Sequence, residues 1–164
     1  MYSGDVGMIV PGSNALKVID RKKNIFKLSQ GEYVAPDKLQ NIYKNTYSVA
    51  DIFVAGDPLK SCLVGIVVAD EELFPKLCVK NGLRVNIGFQ ELIKHPDANR
   101  IMLEELGRVA KENKLKGFER LKRIYINPKN FAELDLITTT FKVKRFEAEV
   151  YFKELINELY KGLD

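Results

Sequence analysis

The chain has little of what usually marks a site at first reading. Of its 164 residues only two are cysteine and one is histidine. Cys62 and Cys78 lie outside any Cys-x-x-Cys spacing and have no histidine nearby, which suggests neither a zinc site nor a disulfide framework. Two reduced thiols fit an intracellular protein. His95 precedes Pro96 in a polar stretch and has no partner in sequence, so nothing marks it as a general base. Long apolar runs are also missing: the longest, Leu63 to Ala69, is far too short to span a bilayer. The opening Met1-Tyr2-Ser3-Gly4-Asp5 lacks the basic and apolar regions of a leader, and the expectation is that nothing here anchors or exports the chain by itself. Excess charge is small: 26 Lys and Arg against 22 Asp and Glu leave a net +4 with both signs interspersed. That balance argues against a protein built to coat nucleic acid or an acidic membrane, and stays compatible with a polyanionic small ligand such as a nucleotide.

What is present is ordinary globular composition, 46% hydrophobic and 29% charged, in a length that suits one domain with a real core. Asp5 to Val10 and Ala15 to Asp20, separated by Pro11-Gly12-Ser13-Asn14, read as a β-hairpin. A third extended run, Asn24 to Leu28, leads through Ser29-Gln30-Gly31 to Pro36. That proline opens a helix with Leu39, Ile42, Tyr43 and Thr46 on one face. Strands are expected at Asp51 to Ala55 and Leu63 to Ala69, followed by a short helix over Glu71 to Val79 that stops at Asn81-Gly82. Met102, Leu106, Val109 and Ala110 mark a helix between Phe89 and Asn113, and Leu121 to Ile126 a further strand. Phe152, Leu155, Ile156, Leu159, Tyr160 and Leu163 predict a terminal helix whose work is packing. The fold class is α+β: a small three-layer-like domain with a short antiparallel sheet flanked by helices, preceded by the hairpin. Hinges are expected only at Asp20 to Lys23 and in the loop from Asn127 to Phe141.

Four places carry groups able to do chemistry. Asp5, beside Gly4 and Gly7, offers a carboxylate that would grip a vicinal diol, or else a turn aspartate capping its own backbone. Asp20-Arg21-Lys22-Lys23 puts cations directly after a strand, suited to a ribose or phosphate, or else simply solvated. Gly31, followed by Glu32 and Tyr33, would bring backbone close to a ligand, or form an ordinary tight turn. Thr138-Thr139-Thr140-Phe141-Lys142-Val143-Lys144-Arg145 reads as a hydroxyl-rich loop running into a helix with three cations in its first positions. That placement opposes the helix dipole unless an anion binds there. Glu104 and Glu105, with Arg100 and Arg108 one turn away, read as surface ion pairs.

In this order the pieces resemble the C-terminal part of the acyl-adenylate-forming synthetases, and specifically of the long-chain fatty acid–CoA ligases. Tyr2-Ser3-Gly4-Asp5 is similar to that superfamily's Thr/Ser-Gly-Asp motif and Ile19-Asp20-Arg21-Lys22-Lys23 to its hinge. Lys27-Leu28-Ser29-Gln30-Gly31-Glu32-Tyr33-Val34-Ala35-Pro36 resembles the loop that follows, and Leu136 to Arg145 the terminal lysine motif. Two departures stand out. Phe141 occupies the place before the lysine where the wider superfamily usually has glycine, and Thr138-Thr139-Thr140 replaces a common Thr-Pro-Thr, which leaves Lys144 as an alternative to Lys142.

The resemblance implies that Asp5 and Arg21 hold the ribose side of ATP or the adenylate and that Lys23 is the pivot. It implies further that Lys142 serves the first step, and that Gly31, Glu32 and Tyr33 line the coenzyme A channel. ATP, Mg²⁺ and coenzyme A would be substrates and cofactor of a full-length enzyme, with no metal ligands in this chain. The partner would be a large N-terminal domain of the same enzyme. Residues 1–20 would close that domain, 21–23 form the hinge, and 24–164 the mobile C-terminal domain with a helical insertion at about 86–117. Such a piece is expected to be inactive alone, and any membrane association of an intracellular parent to reside in parts outside it. Two other classes remain open: a non-catalytic nucleotide- or coenzyme A-binding module sharing Arg21 and Gly31, and an RNA-binding α+β domain built on Phe26 and Lys27.

Overall fold

Leu63 to Ala69, the longest apolar run, becomes the central strand of a three-stranded sheet, and every residue along it is buried. The computed structural model describes residues 5–9, 11–12, 16–21, 24–84 and 86–163, and in the opening hairpin only the backbone apart from Gly7, Pro11 and Gly12. That hairpin pairs β1 (Asp5–Ile9) with β2 (Leu16–Arg21). A second short ribbon pairs β3 (Phe26–Lys27) with β4 (Tyr33–Val34), and α1 (Pro36–Lys44) follows with proline in its first turn. Then come β5 (Val49–Gly56), β6 (Leu63–Ala69), α2 (Leu73–Lys80), α3 (Phe89–Leu92), α4 (Pro96–Glu112) and a 3₁₀ turn at Gly117–Glu119. The chain closes with β7 (Leu121–Ile126), α5 (Arg145–Tyr151) and α6 (Lys153–Tyr160).

The sheet order is β5-β6-β7, with β5 antiparallel to β6 and β7 parallel to it. The expected short antiparallel pairing is there in β5 and β6, and β7 adds a parallel strand that makes the sheet mixed. The reason lies in the connection: two parallel neighbours need a crossover, and here α2, α3 and α4 supply it. The helical stretch expected at about 86–117 contains α3 and α4 of this crossover.

Alternation sorts the strands into two cores. Ile52, Val54, Leu63 and Val67 face α1, α2 and α4 with Leu39, Tyr43, Phe74, Leu77, Met102 and Leu106. Phe53, Ala55, Val64, Ile66 and Val68 face the other way, onto Phe131, Leu136, Ala148, Phe152 and Tyr160. The result is three layers with β6 covered on both sides, which is why its sequence shows no alternation of polarity. Each fully buried Val, Ile or Leu in it contributes about 1.5–3 kcal/mol.

Two helices differ from the sequence pattern. The run from Phe89 breaks before Pro96, where His95 caps α4 by accepting the Asp97 amide on Nδ1 at 3.1 Å. The terminal helix is interrupted at Phe152, which turns inward and packs edge-to-face on Phe131 at 5.9 Å. The packing role of the tail holds: Tyr160 donates to the Cys62 carbonyl at 2.9 Å, and Lys60 Nζ donates to the Leu163 carbonyl at 3.0 Å. The stretch after β7 is not a free hinge loop. Its Phe131 and Leu136 are buried, and the Leu136 amide donates to the Phe131 carbonyl at 2.8 Å.

Candidate functional site

The lysine motif adopts a form the sequence did not show. Lys142 does not stand in a helix: α5 begins at Arg145, and Lys144 is its N-cap. Upstream the chain forms a tight hairpin. The Thr138 amide donates to the Lys142 carbonyl at 2.7 Å, the Lys142 amide to Thr138 Oγ1 at 3.1 Å, and the Lys144 amide to the Leu136 carbonyl at 2.8 Å. Ile137 and Val143 form the one bridge between the arms. Closing this turn puts Phe141 at φ 61°, the left-handed region where a bulky side chain costs about 1–2 kcal/mol. The place where the resembling superfamily has glycine is thus the place where the backbone asks for one. The expected conflict between Lys142 and the helix dipole falls away, because Lys142 lies outside the helix.

The hairpin forms one wall of an open cleft of about 910 Å³. Thr138, Thr140, Lys142 and Lys144 line it on one side, and Asn24, Ile25 and Phe26 on another. The two lysines are not equivalent. Lys144 Nζ is held by Asp135 Oδ1 at 3.2 Å, whereas the Lys142 ammonium is exposed and, among the described residues, makes no ion pair or hydrogen bond. Lys142 is the cation available to an incoming anion.

Arg145, the third cation of the run, is used quite differently. It is 11% exposed, donates from both terminal nitrogens to the Val54 carbonyl at 3.0 Å, and pairs with Glu149 at 3.3 Å. Its guanidinium also lies 4.9 Å from the Phe53 ring centre and 5.5 Å from that of Phe26. With Gln40, whose Oε1 accepts the Val54 amide at 3.1 Å, it covers the free edge of β5. The sequence did give a sign of this: Arg145, Ala148 and Phe152 fall at i, i+3 and i+7, the inward face.

In the opening hairpin Asp5 and Arg21 are direct partners across the strands. A bulge between Val6 and Gly7 sets this register; without it Asp5 would face Asp20, one residue earlier on β2. Lys23, the expected pivot, lies outside the described residues, as do Ser3 and Gly4.

Gly31, Glu32 and Tyr33 do not join the Lys142 cleft. Gly31 and Glu32 lie in the β3–β4 turn and Tyr33 opens β4, with Gly31 at φ +91°, its amide donating to the Leu28 carbonyl and Glu32 accepting the Leu28 amide. Pleating explains the separation: Phe26, opposite Val34, lines the cleft, while Lys27, opposite Tyr33, takes the other face. There Lys27 Nζ lies 5.7 Å from the centre of the Tyr33 ring, which is 67% exposed. Two candidate half-sites therefore occupy separate surfaces of one small ribbon.

The remaining sequence candidates are structural. Arg100 pairs with Glu104 at 2.9 Å, and Arg108 is held by Glu105 and Glu112. Cys62 and Cys78 are buried and form no disulfide with each other, and burial pushes Cys78 up to about 11. Among the described residues no group of three His, Cys, Asp or Glu side chains converges on a metal position. The three-stranded sheet, covered on both faces, presents no open platform for bases, and Phe26 is packed under Arg145. No helix among the described residues is long and apolar enough to cross a membrane.

Comparison with known proteins agrees with this architecture. No family model matches the chain. The A domain of carboxylic acid reductase from Segniliparus rugosus, solved in complex with AMP and a co-purified carboxylic acid, superposes with a TM-score of 0.79 at 27% identity. The match covers 99% of this chain and 23% of that one. The adenylation domain of the carboxylate reductase from Mycobacterium chelonae gives 0.78 at 28% identity, over 97% and 23%. By fold, then, the chain is similar to one part of these adenylation domains. In sequence it is 47% identical over 161 residues to long-chain-fatty-acid–CoA ligase 6 of Rattus norvegicus, and 42% over 164 residues to ligase 1 of Homo sapiens. These matches span 98% and 99% of the chain. Over its whole length the chain is a relative of the long-chain fatty acid–CoA ligases, and it spans about a quarter of the length of the curated relatives it matches.

Proposed function

We propose that the chain is the C-terminal, lysine-bearing domain of a long-chain fatty acid–CoA ligase and that it serves the two half-reactions of that enzyme with two different surfaces. In the first, a fatty acid carboxylate oxygen attacks the α-phosphorus of ATP, and the bond to the bridging oxygen breaks to release pyrophosphate. Negative charge gathers on the phosphoryl oxygens, and the Lys142 ammonium, fixed at the cleft, stabilises it. Asp5 and Arg21 hold the ribose side of the nucleotide. In the second, the thiol of coenzyme A loses its proton and attacks the acyl carbon, and AMP leaves. Here the domain has turned about Lys23, and the backbone around Gly31, Glu32 and Tyr33 lines the thiol's passage.

The observation that carries the reading is the free Lys142 ammonium, displayed at the cleft by a hairpin while its two cationic neighbours are both engaged. Mg²⁺ would reach the cleft on the nucleotide's phosphates rather than on side chains of this chain. The larger N-terminal domain supplies the adenine and acyl pockets, and any membrane attachment of an intracellular parent lies outside these residues. The test is to assay the full-length protein and the 164-residue chain side by side. The full-length protein should form acyl-CoA from fatty acid, ATP and coenzyme A with release of AMP and pyrophosphate, and the chain alone should not. Turnover by the isolated chain, or no fatty-acid-dependent pyrophosphate from the full-length protein, contradicts the proposal.

A further inference from the structure

The hairpin that presents Lys142 is a short ribbon, and its placement depends on what its two arms pack against. Its arms share one bridge, Ile137 with Val143, and its tip carries Phe141 in a left-handed conformation, 81% exposed. A ribbon of this size is marginal without external packing. The first arm is anchored by buried Leu136. The second arm passes from Lys142 through Val143 and Lys144 to Arg145, and the Lys144 pair with a 94% exposed Asp135 is too solvated to fix it. Val143 packs partly buried against the core behind it, and the polar anchor on that side is Arg145.

We infer that Arg145 is the positioning residue for Lys142, fastening the lysine hairpin to Phe26, the first strand after the charged pivot, so that pivot strand and lysine move as one body. This rests on the reading of Lys142 as the first-step cation. The geometry is specific to a guanidinium. Two nitrogens converge on the Val54 carbonyl at 3.0 Å while the flat cation meets the rings of Phe26 and Phe53 at the edge of β5. Gln40 Oε1, 3.4 Å from the same guanidinium, and Glu149 at 3.3 Å complete its surroundings. A lysine keeps the charge but loses both the fork and the stacked plane. Gly56 adapts the other partner to this arrangement: a methyl group there would stand 2.1 Å from Phe26 Cε2, so only glycine lets the ring lie where Arg145 meets it.

The test compares Arg145→Ala, Arg145→Lys and Lys142→Ala in the full-length protein. Pyrophosphate release reads the first half-reaction, thioester formation from supplied acyl-adenylate the second, and hydrogen exchange the Thr138 and Lys144 amides. Arg145→Ala is expected to lower kcat of the first half-reaction about a hundredfold, the scale of a small misplacement of a catalytic group. KM for ATP and fatty acid and the second half-reaction should stay near their original values. The Thr138 and Lys144 amides should exchange faster while those of β6 stay protected, and Arg145→Lys should restore neither rate nor protection. An unchanged first half-reaction in either Arg145 variant overturns the proposal. So does an equal fall of both half-reactions together with loss of β6 protection, which is what a merely structural role would give. If Lys142→Ala itself leaves the first half-reaction unchanged, the lysine reading fails instead, and the hairpin amides alone then decide whether Arg145 positions this segment.

Discussion

The two faces of the sheet are built from the same strands and put to opposite uses. On the crossover face, α1, α2 and α4 seal a largely apolar layer in which Thr46 and Ser48 are buried polar side chains, and ion pairs such as Arg100 with Glu104 lie on its outer surface. On the other face the chain returns as a turn-rich segment and two short helices, leaving Phe141, Phe146 and Val150 exposed and Lys142 free at the cleft. Burial is continuous on the first face and interrupted on the second. One side secures the fold and the other leaves an open cleft, with Arg145 joining them round the edge of β5.

Alkaline titration should give the largest effect, and it probes both faces. Burial pushes Cys78 from an ordinary 9.0 up to about 11 and Tyr43 from 10.0 up to about 12, both on the crossover face, and raises Tyr160 on the other. Because the folded state keeps these protons while the unfolded chain gives them up, their contribution is complete below about pH 9. It is then lost as pH rises through the folded values, on the order of a few kcal/mol in all. Denaturant unfolding from pH 8 to 11.5 should show the loss, and Tyr43→Phe should flatten it. A midpoint that stays level would mean that the crossover face is not sealed.

Gly56→Ala comes next, with about 1–3 kcal/mol lost to overpacking against Phe26. Its signature should be uneven, with faster amide exchange in the lysine hairpin than in α4. Gly31→Ala should cost about 1–2 kcal/mol, since alanine is strained at that positive φ, and in the full-length protein it should slow the thioester step more than adenylation. The smallest effect is expected from Phe141→Gly. Relief of strain at φ 61° is partly offset by the greater freedom of glycine in the unfolded chain, so the net gain is below about 1 kcal/mol. A clear loss of stability there would show that the Phe141 side chain packs in a way its exposure denies.

These cases also show how far the sequence could be read. The opening hairpin, α1 and the packing role of α6 are written in local pattern: turn residues, a helix-opening proline and an apolar stripe. Gly31 announces its positive φ because only glycine takes it freely, whereas Phe141, equally left-handed, gives no such notice. The direction of β7 is not encoded in Leu121 to Ile126 itself. It follows from the helices between β6 and β7, a crossover legible only once the two strands are known to be neighbours. Arg145 was hidden in a run of three cations that read as an anion site at a helix start, and its partners, Val54, Phe53 and Phe26, lie about 90 residues or more away in the chain. The cleft as a whole was partly legible: Lys142 and the segment after Arg21 were named from motif order, but their meeting depends on tertiary placement.

The measurement that bears most directly on the central claim separates the two lysines in the two half-reactions. Lys142→Ala and Lys144→Ala in the full-length protein should be compared by fatty-acid-dependent pyrophosphate release and by thioester formation from supplied acyl-adenylate. Lys142→Ala should slow the first about 10²–10³-fold and leave the second nearly unchanged, while Lys144→Ala, which loses only an exposed pair with Asp135, should stay close to the parent in both. Equal losses in both half-reactions for Lys142→Ala, or the larger first-step loss in Lys144→Ala, would contradict that claim.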